Sequence, residues 1–351
     1  MEEKFTQYVN QTPSVRLVVL TAGTIIIIAA MYAASAFLVP IFLALIFAVL
    51  FWPPLVKLQE RGMSSGMALG VVLLAVVVII LLFVVLMGVA LAGFADAIPG
   101  YQARLTEQII ALGDILRGWG IEPGQLQSLS EDRTVNIGAI LSYVIAGITQ
   151  LFSYSFIILF YVIFMLVEAT AFQDKIKSAF KDNKNAYGYF AQVMDSMQFY
   201  LVIKTRINAI TGLFVGVALW LVGLDFAILW GFVAFLLNYV PNFGSIIAAV
   251  PAVILAFVQF GIGWQFWVVI AIYLGVNLLV GYVIEPKMMG SGLGLSALVV
   301  LISVLFWGWI LGPVGLILSV PITVALKIFM QSYPGSRWLA VMLGTGEELA
   351  E

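Results

Sequence analysis

The polar residues able to do chemistry in this chain are few, and they gather in one apolar stretch. Leu237-Asn238-Tyr239-Val240-Pro241-Asn242-Phe243-Gly244-Ser245 lies in a run from Phe226 to Ile284 without a charged residue. Asn238, Asn242 and Ser245 offer neutral donors and acceptors. Pro241 interrupts a helix, and Gly244 lets a ligand approach the backbone. In lipid, a broken helix is tolerated only where protein or a water-filled cavity satisfies the freed backbone groups. Helix ends exposed at such a break suit a polar ligand, uncharged or anionic. A plain turn in a water-exposed loop is the competing explanation, but polar groups are costly to keep inside apolar spans. A looser echo follows: Pro241, Gly244 and Pro251 in one segment, and Gly312, Pro313, Gly315 and Pro321 in the other. Asn277, inside the apolar run 264–284, is a further candidate, either for a ligand or for a bond to a neighbouring helix.

Other chemistries are excluded by residue type. The chain has no Cys and no His, which removes thiol chemistry, the usual zinc sites and histidine bases or proton relays. Glu168, Asp225 and Glu285 stand at span ends, and no carboxylate lies deep inside a span. Asp225 and Glu285 are the candidates for coupling, and Glu285 with Lys287 could form a gate; a solvated helix end is the plainer explanation of that pair. No nucleophile–base pair is legible, so an enzyme is the least favoured class, and neither cofactor nor metal is expected.

These residues must be carried by membrane helices. The chain is 63% hydrophobic and 10% charged, with a mean hydropathy of +1.12, against about 25% charged residues in soluble domains. No basic face for nucleic acid exists. Leu17 to Val56 is free of charge and too long for one crossing, so it predicts two spans near 17–34 and 37–55, turning close to Ser35 and Pro40. Pro53-Pro54 and the polar residues after them are expected to end the second. A third span runs from Met67 to Phe94 and a fourth over 143–167. The segment 95–142 reads as an extracytoplasmic amphipathic helical section, with turns at Pro99-Gly100 and Pro123-Gly124. Spacing over 174–206 predicts a cytoplasmic amphipathic helix. A fifth span, 207–223, carries Gly212 and Gly216 at a spacing that permits close helix approach. Then come a broken segment 226–260, a span 264–284, a charged turn at Glu285–Gly290 and a second broken segment 295–329. The expected domains are thus 1–94, a transmembrane scaffold; 95–142; 143–206; a transport unit 207–330; and a cytoplasmic tail 331–351.

Charge sets the orientation. With the N-terminus inside, Arg104, Arg117 and Arg133 fall outside and the other 13 of the 16 Lys and Arg fall inside, as basic residues are retained on the cytoplasmic side. The hairpin 226–260 then starts and ends outside, and 295–329 starts and ends inside. Two span-plus-hairpin units of inverted topology are a transporter architecture. The expected fold is an all-α membrane protein of about eight transmembrane segments, with two re-entrant hairpins whose tips meet around a ligand.

Several ordered motifs carry a family resemblance: Asn238-Tyr-Val-Pro241-Asn-Phe-Gly244, Glu285-Pro286-Lys287-Met-Met-Gly290, Gly294-Leu-Ser296, Phe306-Trp307-Gly308-Trp309, Gly312-Pro313-Val-Gly315 and Val320-Pro321. Over roughly 195–330 the chain resembles the autoinducer-2 exporter family. The resemblance implies a polytopic bacterial inner-membrane exporter, conventionally of eight spans, assembled as a homo-oligomer, a pentamer. It also implies the quorum-sensing signal autoinducer-2 as solute, or sodium/proton exchange as in other members. Many members carry Gly-Gln where this chain has Lys204-Thr205.

The leading expectation is therefore a secondary transporter exporting a small polar metabolite by alternating access of 207–329 against 1–200. Its partners are that solute and the lipid bilayer. The alternatives are a sodium/proton antiporter, with a coupling cation as partner, and a non-transporting oligomeric membrane scaffold.

Overall fold

The computed structural model describes residues 13–118, 155–179, 184–241, 243–289, 294–333 and 335–345. Among them the chain is helical throughout, with no strand. Helix α1 (Pro13–Ala33) turns at Ala34 into α2 (Ser35–Glu60), followed by α3 (Ser65–Gly118), α4 (Ser155–Ala179) and α5 (Lys184–Val222). The first hairpin is α6 (Ala227–Leu237) and α7 (Gly244–Phe260). Helix α8 (Trp264–Leu279) runs through a π-helical turn (Val280–Ile284) into α9 (Glu285–Met289). The second hairpin is α10 (Ala297–Leu311) and α11 (Pro313–Ser332), and α12 (Arg337–Leu343) follows.

Four described helices are long and apolar enough to cross a membrane: Ser35–Glu60, Ser65–Gly118, Gly188–Val222 and Pro313–Ser332. Six shorter apolar helices accompany them, and large side chains such as Ile26, Leu82, Trp220 and Leu221 are exposed. Such a surface is stable against lipid and not against water. The protein is an all-α, multi-pass membrane protein.

Several expected boundaries move. Pro53-Pro54 does not end α2, which continues to Glu60. Pro99-Gly100 is no turn: α3 runs 54 residues through it, about 80 Å. The lost Pro99 hydrogen bond is offset by packing on both sides of it, since Phe94 and Tyr101 share one core with Trp230 and Leu229. The cytoplasmic amphipathic helix and the fifth span are one helix, α5, with no break at 206/207. Glu285–Met289 is helical, not a turn. The expected turn at Pro123-Gly124, most of the fourth span's first half and Asn242 lie outside the described residues.

Two large packing units result, and Tyr200 and Leu201 of α5 pack with Val320, Val324 and Ile328 of α11 between them. One core joins the second half of α3 with α5, the first hairpin and α8. The other joins α2, the first half of α3 and α4 with Val314 and Leu318 of the second hairpin. Gly212 and Gly216 find their partner within the chain. A Cβ on Gly212 would lie 2.7 Å from the Gly231 carbonyl oxygen, and one on Gly231 would lie 2.8 Å from the Gly216 Cα. Glycine there lets α5 and α6 touch backbone to backbone.

Candidate functional site

Both hairpins are closed by a glycine at the crossing. A Cβ on Gly244 would stand 1.8 Å from the Leu237 carbonyl oxygen, and one on Gly315 1.8 Å from that of Trp307. No other residue fits either place without moving the backbone. Around the first tip this close return brings Asn238, Pro241 and Ser245 to one side, where they meet α5 and α8.

There they line a cavity of about 340 Å³, the scale of a small-molecule site. Its walls come from Lys204, Thr211 and Val215 of α5, the first tip, Tyr273, Val276 and Asn277 of α8, the π turn, and Glu285. Tyr273, Asn277, Gly281 and Glu285 recur every fourth residue. In a regular α-helix each such step drifts about 40° from a full turn. The wider turn at Val280–Ile284 takes back part of that drift and keeps Glu285 on the cavity face. Single π turns of this kind are frequent at functional sites.

Hydrogen bonds fix the wall. The Asn238 and Asn208 amides bond at 2.9 Å, and the buried Asn208 amide also lies 3.1 Å from the Lys204 carbonyl and 3.2 Å from the Tyr239 N–H. The Tyr239 and Thr205 hydroxyls bond at 2.7 Å. Ser245 Oγ donates to Asn277 Oδ1 at 2.8 Å. Lys204 Nζ, its side chain 2% exposed, pairs with Glu285 Oε1 at 2.5 Å. The Tyr273 hydroxyl is buried and has no hydrogen-bond partner among the described residues. A buried hydroxyl left without one costs roughly 1–3 kcal/mol, so a shift of the wall that brings a polar group to it would be favourable.

The structure thus brings together Asn238, Pro241, Ser245, Asn277 and Glu285, with Gly244 buried directly behind them. It does not bring Gly312, Pro313 and Gly315 to this cavity. That second tip lies instead beside the turn between α1 and α2: Tyr32 and Trp309 stack at 5.3 Å, and Ile28, Met31, Leu38 and Val39 pack around Trp307, Ile310 and Leu311. The expected meeting of the two tips around one ligand is therefore absent from this arrangement. Glu285 pairs with Lys204 and not with Lys287, which is exposed.

Asp225 is also remote from the cavity, at the base of the first hairpin. Its carboxylate accepts from Tyr101 at 2.7 Å, and its N–H donates to the Gln259 side chain at 2.9 Å. Asp225 thus acts as a clasp between the first hairpin and α3. Lys204, Asn208, Thr211 and Tyr273 were missed by sequence reasoning. The only signal for them was polarity just inside an apolar run, and Lys204 had been assigned to the orienting charges.

The comparisons agree with this architecture. The family described as AI-2E family transporter matches residues 22–335. The chain is 33% identical over 329 residues to the AI-2 transport protein TqsA of Escherichia coli, covering 93% of this chain and 95% of TqsA. It is 32% identical over 325 residues to the candidate transport protein YhhT of the same species, covering 93% of each. It is 34% identical over 334 residues to a candidate transport protein of Haemophilus influenzae, covering 93% and 95%. With its helical membrane fold and a polar cavity built at a broken helix, the chain belongs to the AI-2E transporter family.

Proposed function

We propose that the cavity beside the first hairpin is the solute site of an exporter in the bacterial inner membrane, with both termini cytoplasmic. The solute is a small polar metabolite, and kinship to TqsA favours AI-2. The observation that carries this reading is the convergence of Asn238, Ser245, Tyr273 and Asn277, from the first tip and α8, on the wall of one cavity. Asn277 makes no other side-chain hydrogen bond besides that with Ser245 among the described residues, so its amide nitrogen is available to a ligand. Convergent polar groups, on a wall that is polar and apolar in similar measure, orient a solute while the apolar part leaves it free to be released.

Alternating access supplies the movement. The second hairpin packs with α1, α2 and α4 and with Tyr200 and Leu201 of α5, which favours the first hairpin and α8 as the moving part, with α5 between the two. Transport of a neutral solute needs no step of covalent chemistry, and the residues do no more than bind, release and exclude water. The test is flux in proteoliposomes loaded with AI-2 or another small polar solute. Efflux that slows about tenfold in Asn277→Ala, with the protein still folded, is expected. No flux of any such solute through folded wild-type protein overturns the reading.

A further inference from the structure

Among the described residues, Lys204 and Glu285 are the only charged ones on the cavity wall. They come from helices far apart in sequence, and their pairing leaves the wall with no net charge. A carboxylate facing a cavity inside an apolar bundle requires a compensating positive charge, because desolvation of an isolated ion costs several kcal/mol. Small inorganic cations answer that need in many transport sites, coordinated by carboxylate, amide and carbonyl oxygens. Here the ammonium of Lys204 already holds that place, 2.5 Å from Glu285 Oε1 and almost wholly buried. Its own backbone is anchored, since the Lys204 carbonyl lies 3.1 Å from the Asn208 amide.

We propose that Lys204 is a tethered counter-cation, standing beside Glu285 where a small alkali cation would otherwise bind, so that the solute moves without a coupling cation. Lys204 is then a specificity-determining residue. It sets the cavity to take a neutral solute, disfavours a free cation by like charge, and removes the carboxylate that Na⁺/H⁺ exchange would use. The inference rests on the cavity being the solute site, but its test needs no solute.

The full-length protein, purified in detergent, is melted in NaCl, LiCl or choline chloride at equal ionic strength, which separates binding from screening. Wild-type Tm is expected to agree across the three salts to within about 1 °C. Lys204→Gln exposes the Glu285 carboxylate, and its Tm is expected to rise by about 3 °C or more in NaCl or LiCl over choline chloride, by mass action on the folded state. Adding Glu285→Gln removes that rise. A wild-type protein stabilised by Na⁺ or Li⁺ through Glu285 overturns the proposal, and so does a folded Lys204→Gln protein indifferent to both. If Lys204→Gln cannot be recovered folded, the double variant Lys204→Glu with Glu285→Lys decides: indifference to salt supports the proposal, and stabilisation by Na⁺ or Li⁺ overturns it. Failure of solute flux in proteoliposomes would remove the transport reading and leave these melting curves unchanged.

Discussion

The two hairpins share a backbone device and differ in what surrounds it. Each breaks an apolar helix, returns on itself, and crosses at a glycine whose Cβ would strike a carbonyl oxygen at 1.8 Å. In the second hairpin the polar groups are satisfied internally. Trp307 Nε1 donates to Thr323 Oγ1 at 3.1 Å, Thr323 Oγ1 donates to the Ser319 carbonyl at 2.7 Å, and Ser296 caps α10 by accepting from the Val299 N–H. At the base, Lys327 Nζ donates to the Gly294 carbonyl at 2.7 Å. In the first hairpin the polar groups bond outward, to α5 and α8, and face a cavity. A broken helix therefore does not mark a binding site by itself. On the reading proposed above, the mark is a break that opens onto a cavity where a neighbouring side chain, the Asn277 amide, keeps hydrogen-bonding capacity unused.

The largest effect that tests this contrast falls on the shared part. Gly244→Val and Gly315→Val are each expected to cost about 3 kcal/mol or more by overpacking backbone against backbone, seen as loss of monodisperse protein. A near-native Tm for either would show that its tip is not held by that crossing. Next comes Asn277→Ala, which removes a wall group and is expected to slow flux about tenfold, equivalent to roughly 1.4 kcal/mol. Thr323→Val in the second hairpin should leave flux intact while lowering stability, and a reversal of these two outcomes would break the contrast.

Tyr273→Phe separates binding from folding more finely. Deleting a buried hydroxyl without a partner should leave Tm unchanged or raise it, with stability up by at most about 1 kcal/mol. Solute affinity should fall several-fold. A fall in Tm would show that the hydroxyl is bonded in the folded protein. The smallest expected effect on flux is that of Trp307→Phe. It loses one hydrogen bond and part of a buried ring inside the second hairpin, which lowers Tm with no change in flux at saturating solute.

Much of this was legible before any coordinates. Asn238, Pro241 and Ser245 stood out because polar residues and a proline are conspicuous in an apolar run, and the structure puts all three on the cavity wall. Asn277 was legible for the same reason. Gly312, Pro313 and Gly315 looked equivalent to the first break, since sequence reports the interruption and not its surroundings. Lys204 was read as an orienting charge because it stands at the edge of a span, where a lysine can reach water by its flexible stem. Its burial depends on Glu285, 81 residues away. A turn at Pro99 follows from a proline rule that is local, whereas Tyr101 and Asp225, 124 residues apart, help to keep the helix continuous through it.

By itself, the sequence determined that this is a helical membrane protein, roughly where its helices begin, and that two of its apolar segments are broken. Lipid enforces those features locally, because each helix must satisfy its own backbone wherever it meets hydrocarbon. Tertiary structure alone decided which break faces a cavity, which lysine meets Glu285, and that Asp225 is a clasp. Apolar helix faces are nearly interchangeable in hydropathy, and their partners are chosen by shape. The Gly212–Gly231 contact and the return at Gly244 set that shape, and with it the place where polar groups of α5, the first tip and α8 converge.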